Sequence, residues 1–151
     1  MIGGMLMKRE RCVICGKGDA KEVAATRSVT IRGKGYRIPR DRFMRCAGCG
    51  EEYYTGTQAR ASTARLLALR RAREGLLTPE EIRQIRRRHL LSQKALEKIL
   101  GLGPKTVVRW ERGTVLQSKA ADDVLRLIDR DEENLRLLAK VRQARGLRVA
   151  S

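Results

Sequence analysis

Two short stretches, Cys12-Val-Ile-Cys15-Gly16 and Cys46-Ala-Gly-Cys49-Gly50, repeat one pattern and between them use all four cysteines of the chain. A two-residue spacer lets both sulfurs of a pair turn toward one point, and the glycine that follows permits the backbone to fold around them. Two such pairs supply four thiolates, the closed tetrahedral shell that a structural zinc ion prefers. With no vacant ligand position the ion cannot activate water, so the pattern predicts one structural metal and no catalytic one. Thirty residues separate Cys15 from Cys46, more than the usual gap between zinc pairs. Val29-Thr-Ile31 and Tyr36-Arg-Ile38 flank Gly33-Lys34-Gly35, which predicts a β-hairpin within that insert, its second strand ended by Pro39. A segment so poor in apolar residues needs a staple, and metal binding supplies one as folding energy. Disulfides and redox-active pairs are disfavoured, because neither a secretory context nor a βαβ pattern is present. Thiolates alone do not exclude an iron–sulfur cluster.

Charge narrows the partners. Lys and Arg number 34 against 17 Asp and Glu, a net charge of +17 over 151 residues. Such an excess attracts polyanions, so nucleic acid is the first partner to consider and an anionic membrane the second. It is shared along the chain, with 12 bases and 6 acids in residues 1–56 and 22 and 11 in residues 57–151. No apolar run is long enough to span a bilayer, and the start lacks the apolar core of a signal peptide, which predicts a cytoplasmic protein. Residues 1–8 read as a loose start, with Met5 or Met7 as alternative initiators.

Cysteine and glycine give way near residue 56 to Leu, Arg and Glu at helical spacing. The composition predicts an α+β chain: a small, β-rich, zinc-bound domain at 1–56, a connecting helix within 57–76, and an all-α domain of five helices at 77–151. The connecting helix covers Gln58 to Arg73 and stops at Gly75. Thr78-Pro79-Glu80-Glu81 is a capping box with proline at the first helical position. Ile82, Ile85 and His89 share a face of the helix it opens. Ser92 starts a second helix, buried through Leu96, Ile99 and Leu100. Pro104 begins a third with Val107, Val108 and Trp110 inward, and Gly113 ends it. Ser118 and Asp131 cap two more, the last stopping near Gly146.

The segment from Ser92 to Gly113 has the spacing of a helix-turn-helix, with Gly101 where the chain turns sharply. If Val107 and Trp110 face inward, Lys105, Thr106 and Arg109 face outward, and Arg109 lies one turn from Lys105. Arginine binds guanine O6 and N7 bidentately, and lysine reaches the same acceptors or a phosphate. Gln93 and Lys94, at the start of the preceding helix, suit phosphate contacts, and Arg112 and Lys119 suit the flanking backbone. Arg86, Arg87, Arg88 and the basic stretch at 70–73 read as solvated surface. Trp110 reads as a core anchor. Glu97 stands where a small residue usually meets the partner helix, so its stem must pack sideways or the helices must splay.

Taken together, the two knuckles with CGEEYYTG after the second, then LTPEEIRQIR, LSQ, GLGPKTVVRWERG and QSKAADDVLRLI, resemble the MqsA-type antitoxin family. That family joins a YgiT-type zinc finger to an Xre-like helix-turn-helix, and the resemblance covers nearly everything from Cys12 to about Leu138. It implies a cytoplasmic antitoxin of a type II toxin–antitoxin pair. Its zinc domain would neutralise a cognate toxin, often an mRNA-cleaving one, and its helix-turn-helix domain would dimerise and repress the shared operon at a palindrome. The metal ligands fall on Cys12, Cys15, Cys46 and Cys49. The base-reading positions fall on Lys105 and Arg109, the first commonly Asn in the family, so that Lys105 should alter the preferred base or contact a phosphate.

Two other readings compete. A stand-alone zinc-containing transcription regulator shares every DNA expectation but has no toxin partner. An RNA-binding zinc ribbon fits the charge and the cysteines but not the helix-turn-helix. An enzyme is disfavoured, since there is one His, no Gly-rich phosphate loop and no paired carboxylates. The Leu and Ile residues of the last two helices outnumber what one small bundle can bury, which predicts a homodimer matched to double-stranded DNA of two-fold symmetry.

Overall fold

The computed structural model describes residues 9–149, and the expected loose start at 1–8 lies outside the described residues. A four-stranded sheet comes first, six helices follow, and the chain divides between Leu69 and Arg70 into two compact units. The α+β composition and its order along the chain are as the sequence predicts.

In the first unit β1 (Arg9–Arg11), β2 (Asp19–Ile31), β3 (Lys34–Cys46) and β4 (Glu52–Tyr53) form an antiparallel sheet in sequential order. The hairpin is longer than expected and its turn lies one residue earlier. Ile31 pairs with Lys34, so the turn is Arg32-Gly33, with φ of 49° and 75°. Positive φ at both central residues gives the turn a twist that matches the strands it joins. Pro39 does not end β3. Pairing jumps from Arg27–Ile38 to Ala25–Asp41, leaving Pro39 and Arg40 in a bulge where a missing N–H costs no ladder bond. The bulge also resets the side-chain parity: Tyr36 and Ile38 are buried before it, Asp41 and Phe43 after it.

Thr55 opens α1 (Gly56–Glu74) with a capping box. The Gln58 N–H donates to Thr55 Oγ1 at 3.3 Å, and the Thr55 N–H donates to Gln58 Oε1 at 3.0 Å. The buried Asp41 carboxylate fastens the start of this helix to β3, accepting hydrogen bonds from Tyr54 (2.5 Å) and Ser62 (3.0 Å). Arg71, expected to be solvated, is buried.

The second unit contains α2 (Pro79–Arg88), α3 (Gln93–Leu100), α4 (Thr106–Glu111), α5 (Lys119–Arg130) and α6 (Glu132–Val149). The predicted caps form. Thr78 and Glu81 make the reciprocal box, Ser92 and Ser118 accept from the N–H groups of Ala95 and Ala121, and Asp131 accepts from that of Glu133. Their core is aliphatic, built on Leu77, Ile82, Ile85, Leu96, Val107, Leu125 and Ile128 with Trp110 among them. Helix α4 begins at Thr106 rather than Pro104, because Lys105 takes a left-handed conformation (φ 61°) that no helical residue shares. Helix α6 does not stop at Gly146, since a single internal glycine weakens a helix without breaking it.

Two buried carboxylates brace this unit. Glu111 accepts from Arg86 Nε at 2.5 Å, from Arg86 Nη2 at 3.0 Å and from Gln93 at 2.8 Å. Arg86 is therefore a structural cation and not the solvated charge expected. Asp122 accepts from the Leu77 N–H (2.7 Å), Gln117 (2.9 Å) and Arg126 (2.7 Å). Burial pushes both carboxyls up, but the hydrogen bonds and the arginine charges outweigh it and hold them below the ordinary range. A carboxyl with a lower pKa folded than unfolded stabilises fully above its unfolded value, and that contribution is lost as the pH falls through the folded one. Thermal melts followed on Trp110, the one tryptophan, should hold steady above pH 5 and fall progressively below about pH 4. Glu111→Gln should cost about 3 kcal/mol at neutral pH by leaving Arg86 unpaired, and should flatten that acid limb.

Candidate metal centre and nucleic-acid interface

The four sulfurs converge. Cys12 leaves β1, Cys46 closes β3, and all four sulfur atoms lie within 4.8 Å of one another. Cys12 to Cys49 is 3.9 Å and Cys15 to Cys46 is 3.8 Å, too far for disulfides. A tetrahedron of sulfurs about 2.3 Å from a central zinc has edges of roughly 3.8 Å, so the donor set fits that ion. Each loop is a knuckle closed by glycine. The Gly16 N–H donates to the Cys12 carbonyl at 2.9 Å and the Gly50 N–H to the Cys46 carbonyl at 3.0 Å, with φ of 68° and 75° at the two glycines. Backbone N–H groups also point at sulfur: Gly18 to Cys15 at 3.3 Å and Gly48 to Cys46 at 3.3 Å.

The N–H groups of Lys17 and Gly18 draw the Cys15 thiol down to about 6. The Glu51 N–H draws Cys49 the same way, but burial and the three facing sulfurs prevail and raise it to about 12. Four thiols this close cannot all ionise unaided, whereas metal ligation needs all four deprotonated. A divalent cation resolves the conflict. The four cysteines form the site for one structural zinc, which when bound would tie the two knuckles together.

Two further glycines, Gly18 just after the first knuckle and Gly48 in the spacer of the second, matter as much as those that close the loops. A Cβ on Gly18 would lie 2.5 Å from Cys46 Sγ, and Gly18 and Gly48 approach so closely that a Cβ on either meets the other's Cα at 3.2 Å. The only trace of this in the sequence is the glycine richness of the two loops.

In the second unit α3 and α4 form the helix-turn-helix. Lys94, Lys105, Arg109 and Arg112 are exposed and Thr106 is half-buried, while Val107 and Trp110 face the core. Lys105 falls at the N-cap of α4 in a left-handed conformation, and Arg109 lies within the helix four residues later. Gln93 is half-buried, its amide engaged by Glu111, and Lys119 is exposed at the start of α5. His89 caps α2 and its Nε2 is buried without a partner. Glu97 is buried in the helical unit. Its carboxylate turns into the turn between α3 and α4 and accepts the Val107 N–H at 3.0 Å.

A four-cysteine metal domain followed by a helix-turn-helix defines the class: a zinc-binding protein of the helix-turn-helix type. Residues 10–142 match the family described as the antitoxin component of bacterial toxin–antitoxin systems, MqsA, and the chain belongs to that family. It is 25% identical over 126 residues to the antitoxin MqsA of Escherichia coli strain K12, a match covering 83% of this chain and 96% of that one. It also aligns with the solved N-terminal domain of the E. coli protein MqsA, at 20% identity and a TM-score of 0.35, over 44% of this chain and 98% of that domain.

Gly18→Ala should weaken zinc binding on the order of tenfold to a hundredfold by displacing Cys46, as read from competition with a chromophoric chelator. Parent protein should carry one zinc per chain by elemental analysis.

Proposed function

We propose that the chain is an antitoxin that neutralises a cognate toxin through its zinc domain and represses its own operon through the helix-turn-helix. The family membership supports the pairing with a toxin, and the exposed edge of Lys105 and Arg109 supports the reading of DNA. That edge carries the proposal, because among the described residues neither side chain has a partner within the protein. In the major groove Arg109 would fork onto guanine O6 and N7, Lys105 would reach a neighbouring acceptor or phosphate, and Thr106 would line the floor between them. Gln93, Lys94 and Arg112 would hold the phosphate backbone and set the register.

The protein acts as a binder and not as a catalyst, works in the cytoplasm, and pairs as a homodimer on a palindromic operator. Leu127, Leu137 and Val141 stand about half exposed on α5 and α6, and a second copy would cover them. Among the described residues no helix is long and apolar enough to cross a membrane. Functional domains at 1–56 and 77–151, with a connector at 57–76, are part of this proposal.

Arg109→Ala should lose about 1–3 kcal/mol of discrimination between the DNA upstream of its own gene and shuffled duplex, measured by gel shift. Unchanged discrimination would remove the DNA half. Co-expression with the product of the adjacent gene should relieve that product's toxicity and yield a stable complex. An adjacent toxin that stays active would remove the antitoxin half.

A further inference from the structure

Helix α4 has six residues, and its N-cap residue, Lys105, makes no side-chain capping bond. A helix so short is not stable alone, so its direction has to be imposed from outside. The inner side is fixed by Val107 and Trp110, both buried. What fixes the end nearest the DNA is a pair of charged side chains from two other helices. Glu97 of α3 accepts the Val107 N–H at 3.0 Å and takes over the capping that Lys105 does not provide. Its carboxylate also sits on the positive end of the α4 dipole. Arg142 of α6 donates to the carbonyls of Ile99 at 3.0 Å and Leu100 at 2.8 Å, the unsatisfied end of α3. Its guanidinium lies against Gly101 so closely that a Cβ there would come within 2.4 Å of it. Residues 101–105 are thus pinned at both ends, by an anion at the start of α4 and a cation at the finish of α3.

The geometry points to Glu97 and Arg142 as positioning residues for DNA reading: they set the angle at which α4 presents Lys105 and Arg109, without touching DNA themselves. This rests on the proposed reading of DNA by α4. A positioning residue has a distinct signature. Loss of angle removes the bidentate base contacts, which demand alignment, and spares attraction to phosphate, which does not. Because Arg142 belongs to the same helix as exposed Leu137 and Val141, the reading edge is also tied to the helix proposed to meet a second copy.

The experiment titrates the full-length zinc-loaded protein against two duplexes, the DNA immediately upstream of its gene and a shuffled duplex of equal length and composition. Glu97→Ala should lower the preference for the upstream duplex by about tenfold while affinity for the shuffled one stays within about twofold. Glu97→Gln keeps the oxygen that accepts the Val107 N–H and should restore the preference, although it removes the same charge. Amide exchange at Val107 should quicken in the alanine variant alone. Full preference in Glu97→Ala overturns the inference, and so does an equal loss on both duplexes. If Glu97→Ala does not fold, Arg142→Ala decides: lost preference at an unchanged melting temperature upholds the assignment, and retained preference overturns it. A parent protein with no preference for the upstream duplex sinks the DNA reading itself and the inference with it, a result distinct from a preference that the variants keep.

Discussion

Four sulfur atoms within 4.8 Å of one another impose the constraint on which the N-terminal unit depends. Such a cluster is unfavourable as four unaided thiolates: backbone N–H groups draw Cys15 down to about 6, while burial and the facing sulfurs raise Cys49 to about 12. One divalent cation turns the conflict into cohesion. The consequence reaches along the chain because of where the cysteines sit. Cys46 is the last residue of β3 and pairs with Ala20 near the start of β2, so a metal held by the four cysteines would close the open end of the hairpin as the Arg32-Gly33 turn closes the other. Both ends of a long two-stranded ribbon are then fixed, and its middle can carry a bulge without slipping register.

The helical unit answers a different problem. With one tryptophan and one phenylalanine in the chain, it cannot rely on aromatic packing, and it buries three acids alongside its aliphatic core. Glu97, Glu111 and Asp122 are all buried, each accepting a hydrogen bond from a group outside its own helix. Acids are the scarce charge here, 17 against 34, and these are committed inward. Lys94, Lys105, Arg109, Arg112 and Lys119 stay exposed, so internal bracing and an outward positive field draw on the same imbalance of charge.

Features set by local rules were legible in the sequence. The cysteine knuckles, the Thr78–Glu81 box, the serine caps, the Gly101 turn and the inward Trp110 each depend on a few adjacent residues. What escaped depended on partners far along the chain. Pro39 reads as a stop, and only the register across from Ala25 and Arg27 shows that it occupies a bulge. Arg86 reads as one of three surface arginines until Glu111, on another helix, is seen to face it. Gly18 and Gly48 look like ordinary loop glycines because the contact that requires them is with each other. Glu97 was legible as an anomaly, a long acid in a place for a small residue, and its role was not, because it accepts a first-turn N–H of α4 that the N-cap residue Lys105 leaves uncapped.

That last case bears on how a small reading element gains specificity. Phosphate attraction depends on charge and tolerates misplacement, whereas a guanidinium forked onto a base edge tolerates very little. A six-residue helix gains little rigidity from its own hydrogen bonds. Its accuracy must come from neighbours whose positions are already fixed by the core, and α3 and α6 meet that condition through buried Leu96 and through Leu135 and Leu138 packed against the core. A cap drawn from α3 and a clamp drawn from α6 transfer the order of two core-anchored helices to a shorter one. The side chains that could read bases are then left with no structural duty, which is the condition under which they can be exchanged to suit a different operator while the fold stays as it is.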